Sequence, residues 1–162
     1  MRALGRVGRR AVKLYFTGGA TAVLYGWRAT TIDVDVLLRP EDDEILRAIP
    51  ALKESLEINV ELACPADFIP ELPGWEGRSP FLDQRGNLTF QHYDLYAQAL
   101  AKIERGHCQD VEDVDQMLRR GLIERGELLR LFGEIEPWLH RYPSIDPPTF
   151  RHAVERVVQE PT

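Results

Sequence analysis

Residues 12–38 read VKLYFTGGATAVLYGWRATTIDVDVLL, and the order of local patterns in this stretch decides the fold. Val12 to Phe16 is short, apolar and rich in strand formers, which predicts a buried strand. The strand runs into Thr17 and the glycine pair Gly18-Gly19. Thr21 to Tyr25 then reads as a short helix, with Gly26 as its natural stop. From Thr31 to Leu38 the aspartates Asp33 and Asp35 alternate with Ile32, Val34 and Val36, the period-2 pattern of a second strand. Strand, glycine turn, helix and strand within so few residues predict an α+β core, with the turn at its functional end.

The residue types suggest what that end binds. Adjacent glycines expose backbone N–H groups and let an anion approach closely, and the following helix start adds its positive pole. Asp33 and Asp35, one residue apart on a strand, project from one face, so both carboxylates can grip one cation. A phosphate cradle followed by a carboxylate pair is the donor set of a magnesium-assisted phosphoryl or nucleotidyl transfer site. Thr17 and Thr21 could add hydroxyl donors, although strand and helix-start preference explains both. Arg28 could clasp a phosphate by a bidentate fork or make a surface ion pair.

Gly18-Gly19, Arg28, Thr31 and Asp33-x-Asp35 together resemble the opening of the DNA polymerase beta-like nucleotidyltransferase superfamily. The nearest resemblance is to the small bacterial DUF6036 proteins and, more distantly, to abortive-infection toxin nucleotidyltransferases. A second block agrees: Lys102-Ile103-Glu104-Arg105, then Asp110-Val111-Glu112-Asp113-Val114, resembles the Lys-x-x-Arg and Asp-x-x-Asp motifs of those toxins. The resemblance runs from about Tyr15 to Leu118. It implies a small mixed β-sheet nucleotidyltransferase core with helices packed on it and a helical C-terminal part. It also implies transfer of a nucleoside monophosphate from an NTP to an acceptor hydroxyl, with Mg2+ or Mn2+ as cofactor. Gly18, Gly19, Arg28, Lys102 and Asp110 would then contact or support the nucleotide, and Asp33 and Asp35 would hold the metal. A toxin role with a neutralising antitoxin partner is a further implication. A non-catalytic nucleotide-binding or interaction module on the same fold is the alternative. Two features depart from the pattern: the chain is shorter than many of those toxins, and the third carboxylate of the superfamily has one well-placed candidate, Glu61. The strand 58–62 turns Ile58, Val60 and Leu62 one way and Asn59 and Glu61 the other. If it neighbours the Asp33–Asp35 strand, Glu61 joins the carboxylates as metal ligand or general base.

The bulk composition suits one compact domain, residues 1–162, with an α/β core over about 12–93 and a helical part over about 94–162. A hydrophobic fraction of 44% and charged residues at 28% are ordinary for a globular chain. No apolar run approaches the ~20 residues of a membrane span. The basic start, Arg2 to Arg10, lacks the apolar stretch of a signal peptide. Cys64 and Cys108 stand apart without a CxxC pattern, so a reducing cytoplasm is the simplest expectation. A net charge of −6 argues against a broad nucleic-acid surface. It leaves room for one local basic patch at Arg2, Arg6, Arg9, Arg10 and Lys13, which a solubilising turn also explains. The acceptor, whether RNA, protein or small molecule, is left open.

Elsewhere the sequence predicts a helix from Pro40 to about Lys53, an irregular proline-rich segment from Cys64 to Pro80, and a hairpin around Arg85-Gly86-Asn87. Asp94 should cap a helix whose stripe is Tyr96, Ala99, Leu100 and Ile103, with Lys102 opposite the stripe and Gly106 at the end. The next helix should turn Val111, Val114 and Leu118 inward and stop at Gly121. Further helices are expected over 124–132, 134–140 and 149–159. His107 and Cys108 lack zinc spacing, and His92, His140 and His152 form no triad with an activated serine. Trp75 reads either as a base platform or, more simply, as the anchor of its loop.

Overall fold

The computed structural model describes residues 1, 4 and 10–159. The chain divides into two compact units, Met1–Cys64 with Ser79–Tyr93, and Pro65–Arg78 with Asp94–Thr162. The architecture is α+β, with one five-stranded mixed sheet and a helical C-terminal part. Among the described residues no helix is long and apolar enough to cross a membrane, and the two cysteines are free.

The first unit is built on the sheet. Its strands are β1 (Val12–Thr17), β2 (Asp33–Arg39), β3 (Asn59–Leu62), β4 (Phe81–Arg85) and β5 (Leu88–His92), in the order β3-β2-β1-β5-β4. β1 runs antiparallel to β2 and parallel to β5; β3 is parallel to β2, and β4 antiparallel to β5. Helix α1 (Gly18–Tyr25) begins at the glycine pair itself, earlier than Thr21, and ends on Gly26 in the left-handed conformation. Helix α2 (Asp43–Leu56) starts later than Pro40, because Asp42 takes the N-cap and accepts from the backbone of Glu44 and Ile45. Its length provides the crossover that two parallel strands, β2 and β3, require.

Alternation along the strands separates two chemistries. Val12, Leu14, Val36, Leu38, Leu88 and Phe90 share one face and form a buried cluster with Ile45 of α2. Burying a side chain of that size fully contributes about 1.5–3 kcal/mol, so this face fixes strand register. A one-residue slip would exchange the faces. The other face therefore carries Thr17, Asp33, Asp35, Asn59 and Glu61 by necessity.

The second unit is helical: α3 (Trp75–Arg78), α4 (Leu95–Arg105), α5 (Cys108–Arg119), α6 (Arg125–Ile135) and α7 (Pro147–Gln159), with 3-10 turns at Pro65–Asp67 and Glu136–Arg141. The proline-rich segment expected to be irregular thus holds a 3-10 turn and one helical turn. Trp75 is buried within it, the simpler of the two expectations. Asp94 caps α4 by accepting from the Tyr96 backbone, and Gly106 closes it with φ +68°. Its other oxygen takes both Nε and Nη2 of Arg78, at 3.0 and 2.6 Å. Burial outweighs these bonds and raises the Asp94 carboxyl pKa. Phe132 of α6 and Phe150 of α7 meet edge to face at 4.9 Å. The inward face of α5 differs from the one its periodicity predicts. Val111 is exposed, whereas Met117 and Val114 carry the inward face of α5. Lys102, although opposite the apolar stripe, is only 5% exposed, since α4 is buried on nearly every side and faces the acidic turns of α5.

Candidate functional site

The glycine turn and the aspartate strand are adjacent in the structure because β1 and β2 pair with Thr17 opposite Asp35. Gly18 has φ +61°, a conformation that costs other L-residues roughly 1–2 kcal/mol. Space adds a second demand. A Cβ on Gly18 would lie 2.7 Å from Asp35 Oδ2, so the carboxylate rests against the bare α-carbon. A Cβ on Gly19 would collide with Thr31 Oγ1 and lie 3.2 Å from Arg28 Nη1. The loop after α1 thus folds back onto the glycines, helped by the Trp27 and Arg28 backbone N–H groups donating to the Ala22 carbonyl. Thr31 donates to the Asp33 carbonyl at 2.8 Å and fixes the entry into β2. Gly18, Gly19, Arg28, Thr31 and Asp35 are one packed constellation.

The β2–β3 pairing sets Asp33 opposite Asn59 and Asp35 opposite Glu61. Residues in register share a face, so three carboxylates and one amide occupy the same end of the sheet. Asp35 is half-buried, while Asp33 and Glu61 are exposed. Among the described residues, no group of three His, Cys, Asp or Glu side chains is drawn together tightly enough to hold an ion by itself. Asp33 and Asp35 beside the glycine turn still fit magnesium, which takes one or two carboxylates and completes its shell with water and phosphate oxygens.

Asn59 joins the carboxylates on this face, and the sequence carries a signal for it. Asn59-x-Glu61 repeats the spacing of Asp33-x-Asp35 on the next strand. Thr17 is buried, and Thr21 is engaged elsewhere, donating to the Phe16 carbonyl at 3.2 Å and meeting His92 Nδ1 at 3.2 Å. His92 is buried beneath the Tyr25 ring, with centroids 4.5 Å apart, and burial lowers its pKa to about 4. It stays neutral at physiological pH and ties α1 to the end of β5.

Lys102 and Asp110 belong to a different grouping, inside the helical unit. Lys102 Nζ donates to Asp110 Oδ1 at 3.1 Å and to Asp113 Oδ2 at 2.6 Å. Arg105 forks onto Asp110 through Nε at 2.7 Å and Nη2 at 2.6 Å. Burial alone would raise the Asp110 carboxyl pKa, but the Arg105 fork and the Lys102 charge hold it below the usual carboxylate value. The Lys-x-x-Arg and Asp-x-x-Asp blocks are therefore complements, clasping α4 to α5. Of the basic cluster, Arg2, Arg6 and Arg9 lie outside the described residues, while Arg10 and Lys13 are exposed. His107 contributes a long contact to Asp110 at 3.8 Å.

A family model described as "Nucleotidyltransferase of unknown function (DUF6036)" matches residues 7–140 of the chain. No curated protein and no solved structure matches it.

Proposed function

Because the chain belongs to the DUF6036 nucleotidyltransferase family, we propose that it is a metal-dependent enzyme moving a nucleoside monophosphate from an NTP to an acceptor hydroxyl. The observation that carries this reading is the contact of Asp35 Oδ2 with the bare face of Gly18, beside Asp33 and Glu61 on one sheet face. In this reading Asp33 and Asp35, with Glu61 as third carboxylate, hold Mg2+ or Mn2+, which when bound offsets the triphosphate charge. The Gly18-Gly19 turn and the α1 N-terminus receive phosphate oxygens, and the Arg28 guanidinium over Gly19 adds a charge-assisted bond. The acceptor oxygen bonds to the α-phosphorus, the bond to the β-phosphate oxygen breaks, and pyrophosphate leaves. The acceptor's proton passes to water or to a carboxylate oxygen that the metal leaves free. Positioning and electrostatics suffice for such chemistry. The Lys102–Asp110 clasp enters the reading as a structural fastener, since a phosphate contact would require Lys102 to leave two buried carboxylates.

The acceptor class, RNA, protein or small molecule, follows from none of these residues. The abortive-infection resemblance extends the reading to a cytoplasmic toxin with an antitoxin partner. The alternative is a nucleotide-binding module on the same fold without transfer.

One experiment separates the two. Each NTP is titrated with Mg2+ against wild type and the Asp33→Asn/Asp35→Asn variant, and pyrophosphate release is followed with total RNA and with cell lysate. Binding and release in wild type, both lost in a folded double variant, support the enzyme. Binding without release supports the module. Equal MgNTP binding by wild type and the double variant refutes the assignment of the aspartates.

A further inference from the structure

One neutral side chain sits among the carboxylates. Asn59 Nδ2 donates to Asp33 Oδ1 at 3.1 Å and to Glu61 Oε1 at 2.7 Å. A carboxamide NH2 carries two protons, so each is given to a carboxylate, one on its own strand and one across the β2–β3 pairing. We propose that Asn59 is a positioning residue for the cation site. It holds Asp33 and Glu61 in place before the ion arrives while leaving Asp33 Oδ2 and Glu61 Oε2 open to it. The inference rests on the nucleotidyl-transfer reading above and deepens it.

Asp33 and Glu61 are exposed, and without a donor between them like-charge repulsion and rotamer freedom would swing them apart into water. An amide supplies two donors with no net charge. A lysine or arginine here would compete with the cation, an aspartate would add repulsion, and a serine would supply one donor only. Finally, hydrogen bonds to ligating side chains are a recurrent source of metal affinity, and their removal costs about 10–100-fold. The role does not require Asn59 to touch the ion, because each carboxylate keeps a free oxygen.

The test uses the full chain and Mn2+ alone, read by electron paramagnetic resonance, together with melting temperature in chelator. Asn59→Ala should weaken Mn2+ binding about tenfold or more, while its melting temperature in chelator stays within about 2 °C of wild type, as for a surface substitution. Asn59→Ser should recover part of the affinity. Asn59→Asp should melt lower than wild type in chelator and gain more on adding Mn2+, because a third negative charge then stands between Asp33 and Glu61. Unchanged Mn2+ affinity in Asn59→Ala, with binding abolished in Asp33→Asn/Asp35→Asn, overturns the role of Asn59 and leaves the cation site standing. Absence of Mn2+ binding by wild type overturns both.

Discussion

Replacing Lys102 by Met removes a buried ammonium while keeping most of the aliphatic volume, so the change isolates charge from packing. Lys102 is 5% exposed, Asp110 3% and Asp113 1%. Arg105 still forks onto Asp110 in the variant, so the change is felt chiefly at Asp113, which gives up its 2.6 Å bond to the ammonium. Removing one member of a buried ion pair costs about 3–5 kcal/mol, because the carboxylate left behind lacks water. Against a total stability of about 5–15 kcal/mol, that is a large share. At about 2–4 °C per kcal/mol for a chain of this size, the melting temperature should fall by roughly 10 °C. Circular dichroism and calorimetry measure it. Asp113→Asn in the same chain should restore part of the loss, which keeps the test informative if the single variant does not fold. Asp110 has a folded pKa below its unfolded one, so its stabilisation is full above the unfolded value and drains away as pH falls through the folded value. The deficit of Lys102→Met should therefore narrow on acidification, as the Asp110 carboxylate protonates. A melting temperature within 2 °C of wild type, combined with lost nucleotide binding, would refute the structural clasp and return Lys102 to the nucleotide.

Gly18→Ala meets both a φ of +61° and Asp35 Oδ2 at 2.7 Å; the conformation alone costs about 1–2 kcal/mol, and calorimetric titration should show MgNTP binding reduced as the carboxylate is displaced. Unaltered binding in Gly18→Ala would mean that the Asp35–Gly18 contact is incidental. His92, with its pKa lowered from 6.5 to about 4, contributes stability that is full above about pH 6.5 and lost as pH falls toward 4. The linkage amounts to about 3 kcal/mol, and His92→Gln should flatten the slope of denaturant midpoints over that range. Ile45→Ala empties a fully buried position between α2 and the sheet and should cost about 2–5 kcal/mol in urea unfolding, leaving the Lys102 clasp untouched.

What was legible without coordinates was local. Period-2 alternation identified β2 and the polar face of β3, because a strand's geometry forces neighbouring side chains to opposite sides. Asp94 and Gly106 announced the ends of α4, since capping depends on residues within one turn. Gly18-Gly19 marked the turn, because few other residues tolerate that backbone. The tertiary structure decided which patterns meet. Whether Glu61 stands beside Asp35 depends on the parallel β2–β3 pairing, which α2 makes possible and no local signal encodes. Asn59 acquired its place between two carboxylates from the same register. Helical periodicity sets Lys102 opposite the apolar stripe and is silent on its burial, whereas α4 is enclosed on nearly every side and finds its counter-charges on α5. Val111 erred the other way, an apolar residue at a plausible inward position that packing left exposed. Short-range geometry is written into neighbouring residues, while pairing and burial depend on contacts between residues far apart in the chain, and only folding brings those together.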